Sequence, residues 1–220
     1  MEERTIEIPA GQVILEANWN IPEQSEGIVV FAHGSGSSRH SPRNRYVAKM
    51  LSEARLATVL IDLLTANEEV VDIRTAQLRF NIGLLAERLA QVTDWLAHQS
   101  ATRDLPFGYF GSSTGAAAAL MAAAERPKLM GAVVSRGGRP DLAARALPYV
   151  QAPTLLIVGS NDVPVIAMNR DAMRQLPCET KLEIIPGASH LFEESGALEV
   201  VARLARQWFA DHFAEVQSAH

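Results

Sequence analysis

Pro106-Phe-Gly-Tyr-Phe110-Gly-Ser-Ser113-Thr-Gly115-Ala-Ala-Ala-Ala-Leu-Met-Ala-Ala-Ala124 is the stretch on which the reading turns. Its aromatic opening suits a short buried strand. Its alanine-rich end has the composition of a strong helix. Between them, Gly111-Ser112-Ser113-Thr114-Gly115 fits G-x-S-x-G in the strand–turn–helix context that the motif requires. A side chain two residues either side of the serine would clash with the flanking strand and helix, so glycine is expected there. The turn lifts the Ser113 hydroxyl above the sheet and sets it at a helix N-terminus, where the dipole favours developing negative charge. Ser113 is therefore the candidate nucleophile. Ser112 is its rival, displaced from the motif's centre, and the bland alternative is a tight turn with a serine N-cap.

Outward from this stretch, strands and helices alternate. Residues 5–8 and 13–19 are β-rich and suit an antiparallel pair. Residues 27–32 (GIVVFA) are a short apolar run of the kind buried on both faces of a sheet. A helix over 43–54 follows, then a strand over 58–62. Residues 64–76 read as a polar loop, acidic at Glu68, Glu69 and Asp72. An amphipathic helix over 80–98 carries Ile82, Leu85, Leu89, Val92 and Leu96 on one face. Beyond the alanine helix come strands at 130–135, 154–158 and 181–185, a short helix around 141–146, and helices at 166–176 and 198–213. Trp19, Trp95 and Trp208 read as packing residues. This alternation predicts a mainly parallel twisted sheet of about eight strands in a three-layer α/β/α sandwich. Residues 136–153 are too few to build a large cap. In such sheets ligands bind beyond the carboxyl ends of the strands.

Composition narrows the function. The chain has 220 residues, 48% hydrophobic and 20% charged, which suits one globular domain over 1–220. A net charge of −5 gives nucleic acid no electrostatic footprint. One cysteine, Cys178, excludes an intrachain disulfide framework and makes no metal-thiolate site. The opening MEERTIEIPAG has neither the basic nor the apolar region of a secretory signal. A cytoplasmic protein with no membrane segment, acting as monomer or homodimer on a small molecule, is the expectation.

Two further motifs fall beyond strand ends. His190 lies in Pro186-Gly-Ala-Ser-His190, between a strand and the last helix, where it can reach over the serine as general base. Asp162 lies in Gly159-Ser-Asn-Asp162 and can orient the far ring nitrogen of His190. The chain order Ser113, Asp162, His190 is the one expected with this motif. Asp162 could instead cap a helix, and Asp141 is the competing acid. The glycine-rich loop His33-Gly-Ser35-Gly36 follows the strand 27–32. The amides of Ser35 and Thr114 are the candidate oxyanion donors, with His33 as a structural anchor. A dinucleotide loop would need a third glycine where Arg39 stands, and a Walker loop is absent. Arg136 and Arg139 are either guanidinium forks for an anionic substrate group or members of a salt-bridged loop. The same choice stands for Arg39, His40, Arg43 and Arg45.

At residues 33–44 (HGSGSSRHSPRN), 108–115 (GYFGSSTG), 158–165 (VGSNDVPV) and 187–192 (GASHLF) the chain resembles a dienelactone-hydrolase-like member of the α/β-hydrolase superfamily. The resemblance implies the α/β-hydrolase fold and Ser113, Asp162 and His190 as triad. Related domains are found joined to a phosphoribosyltransferase domain, and no such second domain stands within these 220 residues. Dienelactone hydrolases proper use cysteine as nucleophile. Here serine stands in that place, and Cys178 lies too far along the fold. The expected reaction is cleavage of a small carboxylic ester, lactone or thioester through an acyl-enzyme, with no cofactor and no metal. The alternative from another class is a non-catalytic ligand-binding protein on the same fold.

Overall fold

The computed structural model describes residues 3–218. Its strands are β1 (Arg4–Ala10), β2 (Val13–Asn20), β3 (Gly27–Ala32), β4 (Leu56–Ile61), β5 (Phe107–Ser112), β6 (Met130–Arg136), β7 (Thr154–Gly159) and β8 (Thr180–Ile185). They form one sheet in the order β1-β2-β4-β3-β5-β6-β7-β8. β1 pairs antiparallel with β2, and β2 with β4. From β4 to β8 every pairing is parallel. β3, β4, β5 and β7 are buried along their whole length. That is why their sequences are continuous apolar runs rather than alternations.

Helices α1 (Pro42–Glu53) and α6 (Ala197–Ser218) cover one face, where Val47, Leu51, Trp208, Phe209 and Phe213 pack on Phe31, Phe110 and Val134. Helices α3 (Ile82–Leu96), α4 (Thr114–Glu125) and α5 (Val163–Met173) cover the other, where Leu85, Leu89 and Leu120 meet Val30, Tyr109 and Val133. The three layers expected from the alternation are present. The five residues expected on the apolar face of α3, Ile82, Leu85, Leu89, Val92 and Leu96, are all buried. α4 is apolar nearly all round, and Ala116 to Leu120 are wholly inaccessible, as a helix without a polar face must be.

The chain leaves β3 for β4 on one side and returns to β5 on the other. The loops after β3 and β5 therefore part at the edge where the strand order reverses, opening a crevice there.

Two segments differ from expectation. Residues 64–76 are not a polar loop but contain helix α2 (Ala66–Thr75). It opens with a capping box, in which the Thr65 hydroxyl accepts from the Glu68 N–H and the Glu68 carboxylate accepts from the Thr65 N–H at 2.8 Å. The helix is inverted: Glu68 and Asp72 face inward, while Val70, Val71 and Ile73 are exposed. No apolar inward stripe marked it, because its anchors are ionic. The helix expected at 141–146 is replaced by two 3-10 turns, Pro140–Ala143 and Leu147–Tyr149. No cap stands between β6 and β7.

Candidate active site

β5 carries Ser113 to the carboxyl edge of the sheet. The backbone turns there through φ 51°, ψ −119°, a conformation costly for a residue with a Cβ. Neighbouring bonds hold it: the Ser113 N–H donates to the Arg136 carbonyl at 3.1 Å, and the Ser113 carbonyl accepts from the Arg139 N–H at 3.1 Å. The two motif glycines are sterically required. A Cβ on Gly111 would lie 2.4 Å from the Ala116 Cα, and one on Gly115 would lie 2.3 Å from the Ala32 carbonyl oxygen.

Ser113 occupies the N-cap position of α4, yet its side chain makes no capping bond. Asp162 occupies the N-cap position of α5 and makes none either. Both side chains turn instead to His190. The His190 Nδ1 lies 2.6 Å from Asp162 Oδ2, and Nε2 lies 3.3 Å from Ser113 Oγ. A carboxylate on Nδ1 fixes the proton there and leaves Nε2 as an acceptor facing the hydroxyl. The loops after β7 and β8 are stitched together around this contact. Gly187 N–H donates to Ser160 Oγ at 2.8 Å, and the Asn161 side chain donates to the Gly187 carbonyl at 2.8 Å.

The competing residues have other partners. Ser112 is buried and its hydroxyl donates to Asn44 Oδ1 at 2.9 Å, in the first turn of α1. Asp141 receives the Arg139 guanidinium in a fork of 2.8 and 2.7 Å, which holds its carboxyl below the usual range. Arg139 is thus a member of a salt-bridged loop.

The oxyanion candidates meet each other. The Ser35 N–H donates to Thr114 Oγ1 at 2.9 Å, and the two hydroxyls lie 2.8 Å apart. The Thr114 N–H opens α4 and has no carbonyl one turn earlier to bond. His33 spans the base of the loop, with Nδ1 2.9 Å from the Gly34 carbonyl and Nε2 accepting from the Leu63 N–H at 3.2 Å. On its far side, Ser35 Oγ reaches the Arg79 carbonyl at 3.4 Å.

Of the other basic residues, Arg39 pairs with Asp62 and Glu16, Arg43 with Glu193 and Arg45 with Glu3. Arg136 is neither a solvated nor a salt-bridged residue. It is 7% exposed, and Nη2 donates to Asn44 Oδ1 at 3.4 Å. Burial, aided by the Arg43 charge, pushes its pKa down to about 10. Asn44 was not singled out from sequence, and Glu68 and Asp72 stood there only as acidic residues of a loop, not as the anchors of a helix. Thr65-x-x-Glu68 is the capping-box signal that would have found the helix. Among the described residues, no three His, Cys, Asp or Glu side chains gather where they could hold a metal. No helix there is long and apolar enough to cross a membrane.

The model of the dienelactone hydrolase family matches residues 16–215. A solved dienelactone hydrolase from Anabaena variabilis ATCC 29413 is 62% identical, with a TM-score of 0.95 over 96% of this chain and 98% of that one. Est1E from Butyrivibrio proteoclasticus superimposes with a TM-score of 0.80 over 96% of this chain and 99% of that one, at 15% identity, a likeness of fold alone. A Mycobacterium tuberculosis H37Rv protein named "Putative phosphoribosyl transferase" is 54% identical over 212 residues, 96% of this chain. The chain spans about half the length of the curated relatives it matches, 47% of that protein.

Proposed function

The chain belongs to the dienelactone hydrolase family and is an α/β hydrolase, and on that premise we propose that it is a serine hydrolase cleaving small carboxylic esters, lactones or thioesters through an acyl-enzyme. The observation that carries the reading is the continuous relay from Ser113 Oγ through His190 to Asp162. Ser113 Oγ attacks the acyl carbon while His190 Nε2 takes its proton. The tetrahedral oxyanion is met by the Thr114 amide, and by the Ser35 amide once the Thr114 hydroxyl rotates away. Collapse expels the alcohol or thiol, which takes the proton from His190. Water then repeats the sequence on the acyl-enzyme. Asp162 orients the imidazole and stabilises its charged form. Every group this chemistry requires is a side chain or amide of the chain itself, so it needs no cofactor.

The test is covalent. A fluorophosphonate probe should label wild-type protein at Ser113, because the activated hydroxyl attacks phosphorus as it attacks a carbonyl. Ser113→Ala should abolish both labelling and ester turnover with an unchanged circular dichroism spectrum. Folded wild type that stays unlabelled refutes the reading, and labelling at Ser112 reassigns the nucleophile.

A further inference from the structure

Arg136 ends β6 at the join between the two halves of the site. Its carbonyl accepts the Ser113 N–H. One residue on, a Cβ at Gly137 would stand 3.5 Å from Cε1 and Nδ1 of the His190 ring. Its side chain enters the α1–α6 face, and the charge there is poorly met. Nε and Nη1 have no hydrogen-bond partner, Nη2 has only its 3.4 Å bond to Asn44, and no carboxylate pairs with it among the described residues. The charged group that acts on it is another cation, Arg43 of α1, which pairs with Glu193 of the loop after β8 at 3.0 Å. A desolvated guanidinium without a counter-ion is costly, so whatever faces it matters.

What faces it is an aromatic ring. The guanidinium carbon lies 5.9 Å from the centroid of Phe192, within reach of the ring's electron-rich face. Phe192 is 1% exposed and follows His190 by two residues. Its φ is 55°, a left-handed conformation that is a genuine outlier for a bulky side chain. The strained turn is closed by the Phe192 N–H donating to the Ser189 carbonyl at 3.3 Å. Residues held against such strain need surroundings that over-determine them. Here the ring is pinned by the core of the α1–α6 face and by Arg136.

We propose that the Arg136–Phe192 stack is a clamp that positions His190 against Ser113. Arg136 holds the Ser113 turn through its main chain and the His190 turn through its side chain, so one residue sets the distance between the two. Both are positioning residues, and the proposal rests on the reading of Ser113 as nucleophile. The guanidinium is retained without a counter-ion because a carboxylate there would draw it off the ring.

The test combines kinetics with proton NMR of the His190 Nδ1–H, whose low-field resonance reports the 2.6 Å contact with Asp162 without requiring turnover. Arg136→Met and Phe192→Leu should each lower kcat by roughly 10- to 100-fold, the scale of a misplaced reacting group. KM should stay within about threefold, and the resonance should shift or broaden. The double variant should be no worse than the poorer single variant, since either change opens the same clamp. Arg136→Lys and Phe192→Tyr, which keep a cation and a ring, should retain most of the activity. Losses that multiply in the double variant overturn the proposal, as does an unmoved resonance. If Arg136→Met does not fold, Phe192→Leu alone decides: an unchanged kcat and resonance there sink the clamp. Wild-type protein that shows the resonance yet is not labelled at Ser113 would refute the nucleophile and the clamp with it, whereas a labelled wild type whose variants keep kcat and resonance refutes the clamp alone.

Discussion

Asp162 and Asp72 are two carboxylates in contact with other ionisable groups, and they are used in opposite ways. Asp72 is wholly buried and saturated. Arg79 Nε donates to it at 2.5 Å, the Leu78 N–H at 2.7 Å and the Arg79 N–H at 3.2 Å. Burial raises its pKa, but the guanidinium and amides outweigh that and hold the carboxyl below its usual range. It is a permanent charge serving as a bolt for α2. Asp162 has one strong partner, the His190 ring, which can itself gain and lose a proton. A carboxylate fixed by guanidinium and backbone donors builds structure. One whose partner can change charge is available for chemistry. Asp162 also leaves its helix uncapped, giving up a stabilising bond typically worth about 1 kcal/mol.

The sharpest break in this comparison is Asp162→Asn. It should lower kcat by about 10⁴-fold if the residue orients His190 as in a serine triad, with the thermal midpoint within a degree or two of wild type. A loss below tenfold, with a large loss in Asp141→Asn, would transfer the role to Asp141. Asp72→Asn should do the reverse: the midpoint falls by several degrees, because the Arg79 charge loses its partner, while kcat on a small ester changes little. A large kcat loss at unchanged midpoint would show that α2 belongs to the site.

Glu68 sharpens the comparison at a smaller scale. Its hydrogen bond with Arg88 lowers its pKa from 4.5 to about 2. A carboxylate depressed on folding contributes stability that is present above 4.5 and is lost as pH falls towards 2. Wild type should therefore lose more stability across that window than Glu68→Gln, which starts less stable at neutral pH. Parallel acid-unfolding curves for the two would remove this pair from the anchoring of α2.

The smallest expected effect concerns acyl length. Only two 3-10 turns lie between β6 and β7, so no cap supplies an enclosed apolar wall. A methylene gains its ~0.8 kcal/mol only when it leaves water. p-Nitrophenyl acetate or butyrate should be turned over at least as efficiently as the decanoate. A steady rise in kcat/KM to long chains would reveal an acyl channel.

The two regions differ equally in how far they could be read. Ser113, Asp162 and His190 were legible because each sits in a short motif directly after an apolar run, and the parallel sheet brings strand ends together. α2 was not, because its polar inward face inverts the pattern by which helices are recognised. Arg136 was legible as a residue of interest but not in its surroundings. Its two expected environments were a substrate group and solvent, whereas its side chain lies against Asn44, 92 positions away, and Phe192.

What the sequence determined by itself was local: which runs are strands, which turn demands glycine on both sides of a serine, and which residues follow strand ends. These depend on periodicity and on contacts a few residues apart. Only the tertiary structure decided which of two side chains at a loop faces its partner. It turned Ser112 to Asn44 and Ser113 to His190, and it turned Asp141 to Arg139 and Asp162 to His190. Neighbouring residues on a strand point to opposite faces of the sheet. What waits on each face depends on distant segments, which no local pattern encodes.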